Sequence, residues 1–390
     1  YYYAPFEPLT AIMLLPFYKV GEMILGEDYL IRSVLIGMIF YTCLNGLLVR
    51  KISLKMNHNN ITANLSALLF AFTTMAFSYS RLLYPQPILG MFTLLTILFL
   101  FKYKSGHVPR DLFYASLFYG LAVYSFNAFV ITMPFALHFL IKDRAFAKKD
   151  NYFSLGSGLL PSVLLFVSWN CIVTGNLLMT PRQVVHPSIN FELLYLTTDG
   201  TWLNLEGLFG SLFSPLGIFF VSPILFASPI GFFSLKSKAK DQTILLASLA
   251  IVFWFFTSFA NLGGYAGRDF WVGGWTNIAR YMYVPSSILI LFTSESLETI
   301  NRNRDLLGAW LISLLSVVSF LANFSYGVRH DLMVGRLSDF MSNSLLIWPY
   351  PLEAAELGFF SIMAVTASMA YPLCLLYLVK KKKMLKDQKR

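Results

Sequence analysis

Two arginines at the ends of apolar segments have the chemistry of an anion site. Arg81 directly follows the apolar run 61–80, and Arg280 lies near the start of the run 276–294. A charge at such a depth needs a partner, and a guanidinium holds a phosphate or carboxylate through two parallel hydrogen bonds. The alternative is interfacial anchoring, because arginine and aromatic residues are also common at the depth of lipid headgroups.

The segment before Arg280 carries residues that suit a pocket for a sugar or lipid headgroup. Trp271 and Trp275 enclose two glycines, so aromatic walls adjoin a flexible backbone. Each of the five histidines is isolated in sequence, which favours structural roles. The candidate pocket residues are Trp271, Trp275, Tyr281, Arg268, Asp269 and Gln86, with His186 and Arg182 on a later loop as contacts to a donor or acceptor.

Signatures of soluble enzymes are missing from the sequence. It contains no dinucleotide-binding glycine motif, phosphate-binding loop, HExxH or GxSxG. The three cysteines have no metal-ligand spacing and read as inert thiols within apolar runs. No cofactor is predicted, and the absence of clustered carboxylates predicts no metal site, although a divalent metal stays open.

The elements that position these residues are membrane spans. Hydrophobic residues make up 56% of the 390 positions and charged residues only 13%, about half the share of a soluble domain. Runs of roughly 20 apolar residues cross a bilayer. Such runs occur at 29–49, 61–80, 86–102, 152–173, 214–234, 242–261, 276–294, 306–325 and 358–380, and the longer run 111–141 predicts two short helices. The sequence thus predicts an all-α polytopic membrane protein with about eleven membrane segments.

Charge predicts the orientation of these segments. Most of the 30 lysines and arginines fall in alternate loops and in the tail 380–390, which places those loops and the C-terminus in the cytoplasm. The net charge of +10 is therefore attributed to the membrane surface, with no nucleic acid as partner. The long loops 1–28, 174–213 and 326–357 then face the outside of the cell membrane, and 1–28 and 326–357 are predicted to carry amphipathic interfacial helices.

Several stretches in order resemble prokaryotic GT-C membrane glycosyltransferases. That group is related to the dolichyl-phosphate-mannose–protein mannosyltransferases and the aminoarabinose transferase of lipid A. Trp271 to Tyr281 resembles the family's Trp-x-Gly-Gly-Trp stretch that closes on Pro-Arg-Tyr. Other resembling stretches are Tyr1–Pro5 followed by Leu15–Tyr18 and Gly21, Tyr79-Ser80-Arg81 with Gln86-Pro87, and Gly120–Val123 with Pro134. Further along, Gly175-Asn176 is followed by Leu208-Phe209-Gly210, Phe213-Ser214-Pro215, Gly217 and Ser222-Pro223, which resemble the segment entering the family's later spans.

The resemblance covers about 1–295 and implies a GT-C-like helical module over 29–295. The outer segment 1–28 precedes this module, and C-terminal helices with a basic tail, 296–390, follow it; no soluble domain is predicted. It implies transfer of a sugar from a polyprenyl-phosphate carrier to an outer-face acceptor, with inversion. Arg280, and secondarily Arg81, would bind the donor phosphate.

The resemblance also carries departures from the family. It places the catalytic Asp upstream of Tyr1, so that Glu7 is the weak candidate for the base within this sequence. Gln86 replaces a family Glu, Phe126 stands where an Arg is common, and Ile278-Ala279 replaces Gly-Pro before Arg280.

Two alternatives stay open beside a glycosyltransferase. One is a catalytically silent GT-C-like scaffold or subunit with membrane-protein partners, which the departures favour. The other is a transporter or flippase of a lipid-linked sugar, which predicts mid-membrane ionisable residues and repeat symmetry. The expected partners are a polyprenyl-phosphate-linked sugar and membrane lipid. The sequence does not identify the donor sugar or the acceptor.

Overall fold

The computed structural model describes residues 8–26, 30–143, 145–177, 205–214, 217–259 and 280–333, and at 25, 205, 206, 259, 280 and 325–333 it describes the backbone alone. These parts of the chain contain helices and no strand. The helices are α1 Leu9–Leu25, α2 Leu30–Lys55, α3 Asn60–Thr73, α4 Ala76–Tyr79, α5 Gln86–Gly106, α6 Pro109–Ser125, α7 Met133–Lys142, α8 Lys149–Thr174, α9 Leu205–Phe213, α10 Ile218–Val221, α11 Ser228–Lys238, α12 Lys240–Phe259, α13 Tyr283–Asn303 and α14 Leu306–Met333.

Five of these helices are long and apolar enough to cross a membrane, or up to six if a bent pair spanning 207–238 counts as one. The five are α2, α5, α8, α12 and α14. They match the predicted spans 29–49, 86–102, 152–173, 242–261 and 306–325, so the described part of the chain is helical and carries five candidate membrane spans. The count of about eleven membrane segments stays a prediction. The predicted span 358–380 and the basic tail lie outside the described residues.

The run 111–141 forms two helices, as predicted. α6 ends at Ser125, a short 3-10 helix Asn127–Thr132 follows, and α7 begins at Met133 with Pro134 in its first turn. Proline suits the first turn because its missing N–H has no partner there in any helix. The hydroxyl of Tyr119 lies 3.3 Å from the carbonyl oxygen of Val130 and 3.4 Å from that of Phe129, which fixes the connection against α6.

Two predicted spans are not single helices. The run 61–80 divides into α3 and the four-residue α4, with extended backbone at Thr74 between them. The run 214–234 divides at Ser222–Pro223, and the helix pair across this break is bent by 101°. α14 stabilises the bend, because Ser319 Oγ accepts from the Ile224 amide at 2.7 Å. At the first break the Thr74 hydroxyl accepts from the Ala76 amide at 3.2 Å. Apolar length alone did not reveal these breaks, since side chains satisfy the freed backbone groups.

The helix predicted within 1–28 is present as α1, Leu9–Leu25. Leu9 and Leu14 are buried and Phe17 is half-buried against Gly37 of α2, whereas Ile12 and Val20 are exposed. The Tyr41 hydroxyl donates to the Met13 carbonyl at 2.7 Å. α1 therefore packs on the first half of α2 as part of the helix bundle.

The connections between helices gather lysine and arginine at one end of the bundle, which we call the basic end. It contains the ends of α2, α5, α7, α11 and α13 and the starts of α3, α6, α8, α12 and α14. Contacts across this end include Lys238 to Glu295 and Lys104 to Asp241. The described basic residues there are Arg50, Lys51, Lys55, Lys102, Lys104, Arg110, Lys142, Lys148, Lys149, Lys236, Lys238, Lys240, Arg302 and Arg304.

Candidate functional site

The opposite end of the bundle holds the described part of the predicted phosphate site, and we call it the arginine end. Arg81 lies in the turn between α4 and α5 and is exposed. Its guanidinium carbon lies 4.7 Å from the centre of the Phe77 ring. A cation over the face of an aromatic ring is attracted by the negative potential of that face, so Phe77 holds the guanidinium beside its ring. Arg81 is therefore an exposed cation at this end of the bundle, and its phosphate role stays a prediction.

Gln86 is the first residue of α5 and is buried, at 4% exposure. Its Oε1 has no hydrogen-bond partner among the described residues. A buried acceptor without a donor has lost its interaction with water and gained none in return, so a bound water or ligand hydroxyl would stabilise it. The predicted pocket residue is thus placed at the arginine end, with one acceptor oxygen to offer.

Tyr283, the first residue of α13, joins the start of α5 to the segment that contains Arg280. Its ring is fully buried and lies edge-on to Tyr79 at 5.9 Å between ring centres. A Cβ on Gly90 would lie 2.5 Å from Tyr283 Cε1, so the close approach of α5 and α13 requires glycine there. Asn45 Nδ2 donates to the Tyr283 hydroxyl at 3.0 Å and to the Pro87 carbonyl at 2.8 Å.

Arg280 begins a short 3-10 helix, Arg280–Met282, that leads directly into α13. Its side chain lies outside the described part of the chain. Tyr281 is buried, with its ring centre 5.4 Å from that of Phe126. Phe126 also contacts Phe253 of α12 at 5.9 Å. Tyr281, Phe126 and Phe253 therefore form an aromatic cluster, which fixes the backbone beside Arg280.

The other predicted site residues lie outside the described residues. These are Glu7, Arg182, His186, Arg268, Asp269, Trp271 and Trp275. The described residues therefore bring the segments of Arg81, Gln86 and Arg280 to one end of the bundle and leave the tryptophan segment as a prediction.

Sequence reasoning missed Asn45 and Tyr283. Asn45 is a single amide within the apolar run 29–49, and Tyr283 lies two residues after Tyr281 in the predicted span 276–294. A polar residue inside a span is a signal in itself, because an unpaired amide is costly in lipid. The partners of Asn45, however, lie on α5 and α13, which are distant from it in sequence.

The basic end holds a buried ionic cluster that the sequence did not predict. The side chains of Glu295 and His58 are each 1% exposed, and Glu295 Oε2 lies 2.9 Å from His58 Nε2. The second oxygen of Glu295 accepts from Ser234 Oγ at 2.6 Å and pairs with Lys238. The carboxylate therefore has partners on the α2–α3 connection and on α11, and it holds α13 to both.

A second ionic cluster lies nearby on α12. Asp241 pairs with Lys104 at 2.7 Å and with Lys142 at 2.5 Å, which connects α5, α7 and α12. In the α7–α8 connection, Asp143 Oδ2 lies 3.5 Å from His107 Nδ1, and burial raises the pKa of the Asp143 carboxyl above its ordinary value. No group of three or more His, Cys, Asp or Glu side chains suited to a metal ion occurs in the described part of the chain.

No protein-family model and no curated protein sequence matches this chain.

Proposed function

We propose that the protein is a membrane glycosyltransferase of the GT-C kind, which transfers a sugar from a polyprenyl-phosphate carrier to an acceptor outside the cell. One observation carries the proposal. The turn containing Arg81, the start of α5 at Gln86 and the short helix that begins at Arg280 converge around the buried ring of Tyr283. These are three segments that the resemblance assigns to one substrate site.

The chemistry requires a fixed cation at the carrier phosphate. As the glycosidic bond breaks, positive charge develops on the sugar ring and negative charge on the leaving phosphate. An arginine directed at that phosphate stabilises the transition state more than the ground state. Arg280 serves as this group, Arg81 assists it, and a carboxylate removes the proton from the acceptor hydroxyl.

The charge distribution sets the orientation of the proposed enzyme. The basic end faces the cytoplasm, following the positive-inside rule, and the arginine end faces outwards. The carrier enters sideways from the bilayer, so the reaction needs no soluble nucleotide site.

The test is a transfer assay in membrane vesicles with a panel of radiolabelled polyprenyl-phosphate sugars. We expect Arg280→Ala to lower the rate of transfer by about 10²–10³-fold, because one donor to the developing charge is lost. Arg280→Lys retains the charge but not the fork of N–H groups, so an intermediate rate is expected. Arg302→Ala is the matched control, since this exposed arginine lies at the other end of α13.

A wild-type protein that transfers no sugar from any donor would contradict the proposal. One observation then favours a silent GT-C-like scaffold: Phe126, where an arginine is common in the family, contacts the aromatic rings of Tyr281 and Phe253. An unchanged rate of transfer in the Arg280→Ala variant would likewise exclude the phosphate role.

A further inference from the structure

We propose that Asn45 is a positioning residue that holds the Gln86 and Arg280 segments in register; this inference rests on the proposed function. Asn45 lies within α2 and is completely buried, yet α2 supplies none of the predicted site residues. Its amide nitrogen bridges two other segments, donating to the Pro87 carbonyl and to the Tyr283 hydroxyl.

The chemistry of the partners fixes the orientation of the amide. The Pro87 carbonyl can only accept a hydrogen bond, so the group that faces it at 2.8 Å must be the amide nitrogen of Asn45. Both hydrogens of that nitrogen are then used, one for each segment. Neither an aspartate nor a leucine at this position could make both bonds.

Each bond acts on a residue next to the proposed substrate site. Pro87 adjoins Gln86, so the carbonyl that Asn45 holds belongs to the first turn of α5. Tyr283 follows the 3-10 helix Arg280–Met282 directly. A displacement of α5 relative to α13 would therefore separate the two segments, and the Asn45 bridge opposes that displacement.

The close packing around the Asn45 bridge would pass a small displacement of α5 on to Tyr283 and α13. Gly90 lies against the Tyr283 ring, and the ring of Phe70 lies 6.3 Å from it. Misplacing a catalytic group by about 1 Å can lower a rate by about 10²-fold even when the altered residue is distant from the chemistry. Loss of the bridge should therefore affect turnover more than donor binding.

The first test is kinetic, in the same vesicle assay. We expect Asn45→Leu, which keeps the branching and the number of side-chain heavy atoms but has no hydrogen-bond donor, to lower kcat by about ten- to a hundredfold with little change in KM for the lipid donor. Tyr283→Phe removes one of the two bonds and should have a smaller effect. Thr93→Val is the matched control, because Thr93 is buried on α5 but donates to its own helix at Leu89.

The second test does not depend on activity. Spin labels at Arg81→Cys and Arg280→Cys, in a chain whose three native cysteines are replaced by alanine, report the separation of the two segments by pulsed electron resonance. We expect Asn45→Leu to broaden or shift the distance distribution and Thr93→Val to leave it unchanged.

The kinetic and distance measurements together distinguish failure of the proposed function from failure of the positioning role. An inactive wild type with a broadened distribution in Asn45→Leu would refute the proposed function and retain the positioning role. An unchanged distribution in Asn45→Leu would overturn the positioning role, whether or not kcat falls. A parallel loss of kcat in Thr93→Val would also overturn it, since any buried polar substitution would then have the same effect.

Discussion

Glu295 shows at the scale of one residue how a single buried carboxylate can connect several helices. It has partners on both oxygens: His58 and Ser234 lie within 2.9 Å, and Lys238 completes the set. Removing one member of a buried ionic cluster is costly, because the remaining charge stays desolvated without compensation. Lys238 is 38% exposed and can turn partly to water, so His58 and Ser234 lose most from such a change.

We expect Glu295→Gln to lower the free energy of unfolding by about 2–4 kcal/mol, since the amide cannot replace the charge and its NH₂ group faces donors. Denaturation in mixed detergent micelles measures this change. The matched control is Glu22→Gln on α1, where the pair with Lys19 is exposed and screened by solvent, so we expect little change in stability. Equal effects of the two substitutions would show that the buried cluster contributes no more than a surface ion pair.

At the scale of elements, α6 and α8 approach each other through small residues. A Cβ on Gly158 would lie 2.4 Å from the Phe113 carbonyl oxygen, and a Cβ on Gly120 would lie 2.6 Å from Ser162 Oγ. Small residues one turn apart allow two helices to pack backbone to backbone in lipid, where no hydrophobic effect holds helices together. α8 is otherwise largely exposed, so this contact determines its place in the bundle.

We expect Gly158→Ala to destabilise the protein by about 1–3 kcal/mol, because the added methyl meets backbone and must separate the helices. Gly156→Ala lies two residues away on α8, has open space around its Cβ, and should be neutral or stabilising by about 1 kcal/mol. Thermal unfolding of the two variants in detergent compares them. Equal stability of the two variants would show that α6 and α8 do not pack backbone to backbone at Gly158.

At the scale of the whole molecule, the basic end and the arginine end are predicted to lie on opposite sides of the membrane. Their separation follows from helices that alternate in direction, so that every second connection returns to the same end. Lysine and arginine are retained on the cytoplasmic side during insertion. We therefore predict that the basic end faces the cytoplasm.

A membrane-impermeant maleimide tests this orientation in intact cells. In a chain without native cysteines, we expect Arg81→Cys at the arginine end to be labelled and Ser237→Cys at the basic end to be labelled only after permeabilisation. Both positions are exposed, so accessibility within the fold does not distinguish them. The reverse labelling pattern would exclude an outward-facing site.

The sequence by itself determined the membrane class and most of the long helices, because apolar length and charge are properties of continuous segments. It predicted the spans that became α2, α5, α8, α12 and α14, and the division of 111–141 into two helices. Both signals are local, so no knowledge of neighbouring helices was needed.

Only the tertiary structure decided where the chain breaks and which polar groups meet. The bend at Ser222–Pro223 depends on Ser319 of α14. The bridge from Asn45 to Tyr283 joins residues 238 positions apart, and that from His58 to Glu295 joins residues 237 apart. A buried polar group is stable only with its partner in place, and that partner is set by the packing of whole helices rather than by any local pattern.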